Sequence, residues 1–182
     1  MDAQVRKTDQ IGRQQLRAYI GVHALALKDL PVTGVASTGG IEIKNYGQTP
    51  AHDVQIGFMV AITRFPHDQK DVMPPFVDEP TDPKNGFVLD PTESRKAYHQ
   101  IPAFDINETK AIADGRIAGT GNEVRLCMRG YVSYADVFGV DHVRLFCHFF
   151  GGPESKQPSY CMIHNTASQE ELANILGNQR DK

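Results

Sequence analysis

This sequence predicts an all-β fold, with antiparallel strands packed in two layers. Two observations carry the prediction: apolar residues recur at every second position in several separated segments, and those segments follow one another at short intervals marked by Gly, Pro, Asn and Asp. A third is that no alternation of strand-like and helix-like stretches, the mark of a parallel sheet, runs through the chain. At 182 residues, 40% of them apolar, the chain is long enough for one domain with a substantial core. The expected divisions are a polar lead-in or juxtamembrane stalk at 1–15, a β-sandwich domain at 16–164, and a C-terminal helix with its tail at 165–182.

The lead-in offers only Val5 and Ile11 as apolar anchors, so it reads as helical or disordered and without a core of its own. From Leu16 the period changes to two, with Leu16, Ala18, Ile20, Val22, Ala24 and Ala26 on one face. The same period returns at Ile41, Ile43 and Asn45. It is clearest at Val54, Ile56, Phe58, Val60 and Ile62, where β-branched and aromatic side chains favour a strand. Residues 65–85 carry Pro66, Pro74, Pro75, Pro80 and Pro83 among acidic residues and read as a long surface loop. Short strands are expected at Phe87–Leu89 and Arg95–Ile101, and NETKAIADG as one short helix ending at Gly115. The strongest pair is Glu123–Tyr134 with His142–Phe150, a hairpin whose Gly139 can supply a positive φ. Ser168 and Glu171 form a capping box ahead of Leu172, Ile175 and Leu176, which predicts the C-terminal helix. The order of these elements predicts an antiparallel sandwich of immunoglobulin-like type.

Charge and cysteine usage exclude several classes. Nineteen Lys and Arg against 22 Asp and Glu leave a net charge of -3, without the basic excess that nucleic-acid binding draws on. The longest apolar run, residues 56–62, is far short of the roughly 20 residues that span a bilayer. The three cysteines, Cys127, Cys147 and Cys161, are too few for a disulfide scaffold and read as buried apolar groups in reduced surroundings.

Several motifs carry a resemblance. In KNYGQTPAHDV, Asn45 can bond loop backbone through its amide, Gly47 can take left-handed angles and Pro50 presets the start of a strand. Together QLRAYIGV, NYGQTPAHDV and GYVSYADVFGVDH followed by FC resemble a group of uncharacterised bacterial proteins, over roughly residues 14–150. Those proteins carry one or two N-terminal membrane helices ahead of a soluble immunoglobulin-like domain. The resemblance implies a fold and an anchor, and no activity. It leaves two locations open: cytoplasmic if the start is genuine, or membrane-tethered if an upstream helix has been removed.

No catalytic constellation emerges. There is no G-x-S-x-G elbow, and the Gly pairs at 39–40 and 151–152 lack the strand-to-helix setting of phosphate loops. Zinc is disfavoured because Cys147 and His148 are adjacent in a strand and point to opposite faces, and Cys161 and His164 form no C-x-x-C clip. No cofactor or metal is expected. The reading is a noncatalytic binding or interaction module, with a small soluble enzyme or metal-dependent protein as the alternative.

In immunoglobulin order the loop at 46–52 and the hairpin loop at 135–141 emerge at one end, gathering His52, Asp53, Asp136, Phe138, Asp141 and His142 as a surface for a protein or a small polar ligand. The competing view is that Asp136 and Asp141 shape the turn and Phe138 tucks into the core. A second surface follows from placing Val143, Leu145, Cys147 and Phe149 inward. Phe146 and Phe150 then face outward beside Tyr131, with Arg144 over the Tyr131 ring. The C-terminal helix, the Pro-rich loop or a second subunit would cover that patch. On the same assignment Cys127 and Cys147 point to opposite sides of the sheet, and no disulfide is expected between them.

Overall fold

A computed structural model describes residues 2–26, 33–65, 86–101, 103–114, 123–150 and 158–160. The elements are α1 (Asp2–Leu16), β1 (Ile20–Ala24), β2 (Ser37–Asn45), β3 (Ala51–Phe65), β4 (Phe87–Leu89), β5 (Ser94–Ile101), α2 (Ile106–Asp114), β6 (Glu123–Ala135), β7 (Asp141–Phe150) and β8 (Ser159–Tyr160). The strands form two antiparallel sheets, one in the order β1-β2-β5 and one in the order β4-β3-β6-β7-β8. Of the loop expected at 65–85, Phe65 ends β3 and residues 66–85 lie outside the described residues, as does the expected C-terminal helix.

Both sheets feed one core. Ile20, Val22, Ile41 and Ile43 from the first pack with Val54, Val60, Leu126, Met128 and Val132 from the second. Each such side chain contributes about 1.5–3 kcal/mol by leaving water. The period of two holds in β2, where Ile41, Ile43 and Asn45 are buried and Glu42 and Lys44 are half-buried. It holds in β3 as well, where Ile56, Phe58 and Ile62 pack against the core beside Val54 and Val60. Helix α2 is started by a reciprocal cap: Glu108 N–H donates to Asp105 Oδ1 at 2.8 Å, and Asp105 N–H donates to Glu108 Oε2 at 3.0 Å. Ile112 is buried and docks the helix on the core.

Three expectations are corrected. First, the strand expected from Leu16 begins at Ile20, because Leu16 closes α1 and lies exposed, as do Val5 and Ile11. Among the residues of α1 whose side chains are described, none belongs to the core, and no helix among the described residues is long and apolar enough to cross a membrane.

The second correction concerns β7. The five-residue turn Asp136–Val140 sets Ala135 opposite Asp141, and so Gly130 opposite Phe146 and Leu126 opposite Phe150. An odd-length turn pairs even-numbered residues with even-numbered ones. Phe146 and Phe150 therefore share the inward face of Leu126, Met128 and Val132, and they are 2% and 1% exposed. Gly130 makes this possible: a side chain there would strike the carbonyl oxygen of Gly57, and its Cβ would lie 2.7 Å from Phe146 Cζ. Hence there is no outward aromatic patch of Tyr131, Phe146 and Phe150.

The third correction follows from the same register. Cys127, Leu145 and Cys147 lie on the opposite face, and all three are buried there. The two cysteines share a side of the sheet instead of facing apart. Cys147 is also disulfide-bonded, so not all three thiols are inert apolar filler.

Candidate functional site

Strand register defines one end of the molecule. The start of β1 pairs with the end of β2 through Ile20 and Asn45, the start of β5 lies beside it through Ser94 and Lys44, and His52 near the start of β3 stands opposite Ala135 at the end of β6. The α1–β1 joint, the loop after β2, the turn before β5 and the β6–β7 hairpin turn therefore gather together.

Asn45 organises one side of this end. Its side chain is fully buried, and all of its hydrogen-bonding capacity goes to backbone. Its Oδ1 accepts from Gly47 N–H at 2.9 Å and Tyr19 N–H at 3.2 Å, and its Nδ2 donates to Thr49 O at 2.8 Å and Leu89 O at 3.0 Å. The amide reading of NYGQTPA therefore holds. The glycine reading does not, because Gly47 is not among the residues with positive φ. Glycine is needed there because the backbone of Arg17, Ala18 and Tyr19 passes so close that a Cβ would stand 2.6 Å from Tyr19 N.

Asp136 organises the hairpin turn. Its Oδ1 accepts from Phe138 N–H at 2.9 Å and Val140 N–H at 3.0 Å, and its Oδ2 lies 2.9 Å from His142 Nε2. Burial pushes the carboxyl pKa up, but the bonds from His142, Val140 and Phe138 outweigh it and hold the group below its ordinary value. Gly139 supplies the positive φ expected of it, at 73°. The His142 ring stacks on Tyr134 with centroids 5.1 Å apart, and burial pushes the Tyr134 phenol pKa up.

The turn is thus fixed from inside while its other side chains face water. Val137 is 42% exposed, Phe138 37% and Val140 51%. The Arg13 guanidinium of α1 lies 5.3 Å from the Phe138 ring centre.

Of the six residues expected to gather, Asp136 and His142 meet directly, and Phe138 projects from the turn they hold instead of entering the core. Asp141 and His52 are exposed beside Ala135. Asp53 is exposed at the register shift in β3, with a φ of 50°. Arg144 does not cover Tyr131. It donates to the Tyr19 hydroxyl at 2.9 Å and lies over that ring, bridging β7 to the β1 joint. Sequence reasoning missed this pair, and the two residues lie too far apart in the chain for any local pattern to link them.

Cys147 and His148 point to opposite faces of β7, as strand alternation requires. Among the described residues no group of three or more His, Cys, Asp or Glu side chains is placed to hold a metal. Cys161 and His164 lie outside the described residues. In comparisons with family models, curated proteins and solved structures, the chain finds no match.

Proposed function

We propose that this chain is a noncatalytic binding module that meets its partner with the tip of the β6–β7 hairpin. The observation that carries the reading is the pairing of a rigid turn with exposed apolar side chains. Asp136 fixes the backbone from within, and Val137, Phe138 and Val140 remain in water at a hydrophobic cost. A preorganised loop bearing an aromatic anchor loses little entropy on binding, which suits a protein or peptide partner better than a small polar ligand.

The architecture is read as immunoglobulin-like. The orders β1-β2-β5 and β4-β3-β6-β7 support this, since they follow the strand succession of the two sheets in such sandwiches, and the binding tip then corresponds to a loop commonly used for recognition. Attachment to a membrane through an upstream helix accords with the motif resemblance.

Peptides selected on the purified protein from a random display library provide the test. Phe138→Ser should weaken their binding about tenfold or more, while Tyr98→Ser, at an exposed aromatic outside this turn, should leave it unchanged. Selected peptides that ignore Phe138→Ser would refute the site. Stoichiometric metal in the purified protein would favour the metal-dependent alternative.

A further inference from the structure

Beside the hairpin tip runs a row of cations that rest on aromatic rings instead of carboxylates. Arg144 shares the face of β7 that carries Phe146 and Phe150, so it turns toward the space between the sheets, where it is half-buried. Its guanidinium donates to the Tyr19 hydroxyl at 2.9 Å and lies 5.3 Å from that ring centre. Tyr46 N–H donates to Tyr19 O at 2.7 Å, and Lys44 Nζ lies 5.3 Å from the Tyr46 ring centre. Arg17, exposed, precedes the same joint. Burial raises the Tyr134 phenol pKa, and a backbone bond at Ile20 and the charges of Arg17 and Arg144 act against it, so both guanidiniums lie near one hydroxyl.

Among the described residues no carboxylate stands within ion-pair distance of Arg17, Lys44 or Arg144. The buried carboxylate of the hairpin, Asp136, is taken up by His142 and the turn backbone. A half-buried guanidinium that meets only a neutral phenol is short of a counter-charge. Its planar fork suits a carboxylate that arrives from outside.

We propose that the partner of the hairpin tip is an acidic peptide segment, which sets an apolar side chain against Phe138 and a carboxylate on Arg144 beside Arg17. The inference rests on the tip being the binding site. Asp141 to Arg144 is three steps along β7, roughly 10 Å of strand. An extended segment therefore carries its acidic residue about three to five positions from the residue that meets Phe138. The burial of Arg144 also selects among anions. A carboxylate on a protruding side chain reaches the mouth between the sheets, whereas a flat lipid surface meets fully exposed cations first.

The test uses the full chain and peptides selected on it from the random display library. The selected peptides should be enriched in Asp and Glu about twofold or more over the starting library. In fluorescence anisotropy with one such peptide, Arg144→Gln should weaken binding about tenfold and Arg17→Gln about threefold. A copy of the peptide with Asn and Gln in place of Asp and Glu should bind the wild type about as weakly, and should lose little more with Arg144→Gln. Arg17 is exposed, so its replacement reads the charge without disturbing the fold. If Phe138→Ser weakens binding while Arg17→Gln and Arg144→Gln do not, the tip stands and the acidic partner falls. If none of the three weakens it, both readings fall. Selected peptides without an acidic excess, together with Arg144-dependent cosedimentation on phosphatidylserine vesicles, would overturn the proposal in favour of a lipid surface.

Discussion

Two turns at the same end of the sheets are each pinned by one side chain, and the pins are built differently. Asn45 is a neutral amide that both donates and accepts, and it ties together Tyr19, Gly47, Thr49 and Leu89 from separate parts of the chain. Asp136 only accepts, and every donor it uses lies within the hairpin, between Phe138 and His142. A fully buried junction that faces two N–H groups and two carbonyls needs a group of both characters and no charge. A turn that presents only donors, with an imidazole among them, is held by a carboxylate. The first device serves the fold, and the second leaves the tip of its loop available for contact.

Breaking the neutral pin should have the largest effect. Asn45→Asp keeps the shape but turns a carboxylate toward the Thr49 and Leu89 carbonyls, and a loss of roughly 3–5 kcal/mol is expected in denaturant unfolding. A loss below about 1 kcal/mol would show that the junction has another support.

Reading the charged pin through pH first requires removing a buried histidine. His148 is 1% exposed, and its pKa is lowered to about 4 by burial and by the charge of His23. The unfolded chain therefore binds the proton more readily, and stability falls as pH drops from about 6.5 to about 4, by roughly 3 kcal/mol. His148→Leu should flatten the curve across that window. An unchanged slope would assign the loss to other groups.

Asp136→Ala comes next, with a loss of about 1–2 kcal/mol from the charge-assisted bonds. Because its folded pKa is lowered, the Asp136 contribution is present above the ordinary carboxylate pKa and disappears as pH falls through the folded value, below the His148 window. Titration of wild type and variant with His148 replaced in both should diverge above that pH and converge below it. The smallest effect belongs to Phe138→Ser, about 0.5–1 kcal/mol in thermal unfolding, because the ring lies outside the core and only the Arg13 contact and partial burial are lost. A larger loss would mean that the tip belongs to the fold.

Most of the strands could be read from the sequence because their residues alternate cleanly, as Ile41, Glu42, Ile43 and Lys44 do. Strand β7 could not be read that way. Val143, Leu145, Cys147 and Phe149 are as apolar a set as Phe146, His148 and Phe150, so hydrophobicity alone selects the wrong face. Two local signals did contain the answer: the odd length of the turn, and Gly130 in an otherwise apolar row, which leaves a space for a large cross-strand ring. At the site, the Asp136 turn and the local half of the Asn45 clamp, its bonds to Gly47 and Thr49, were legible, whereas the bonds from Asn45 to Tyr19 and Leu89 were not. The contacts of Arg144 with Tyr19 and of Arg13 with Phe138 were not, since only the completed fold brings those residues together.

The junction at Asn45 also bears on the order in which the chain assembles. The β6–β7 hairpin closes over five residues, whereas the bond from Asn45 to Leu89 spans 44 positions, and the pairing of β2 with β5 must wait for that longer closure. Contacts near in sequence form early and distant ones late. Substitutions at Asn45 should therefore act on the rate of unfolding and leave the rate of folding nearly untouched. Asp136→Ala, whose side-chain bonds all lie inside the hairpin, should slow folding itself.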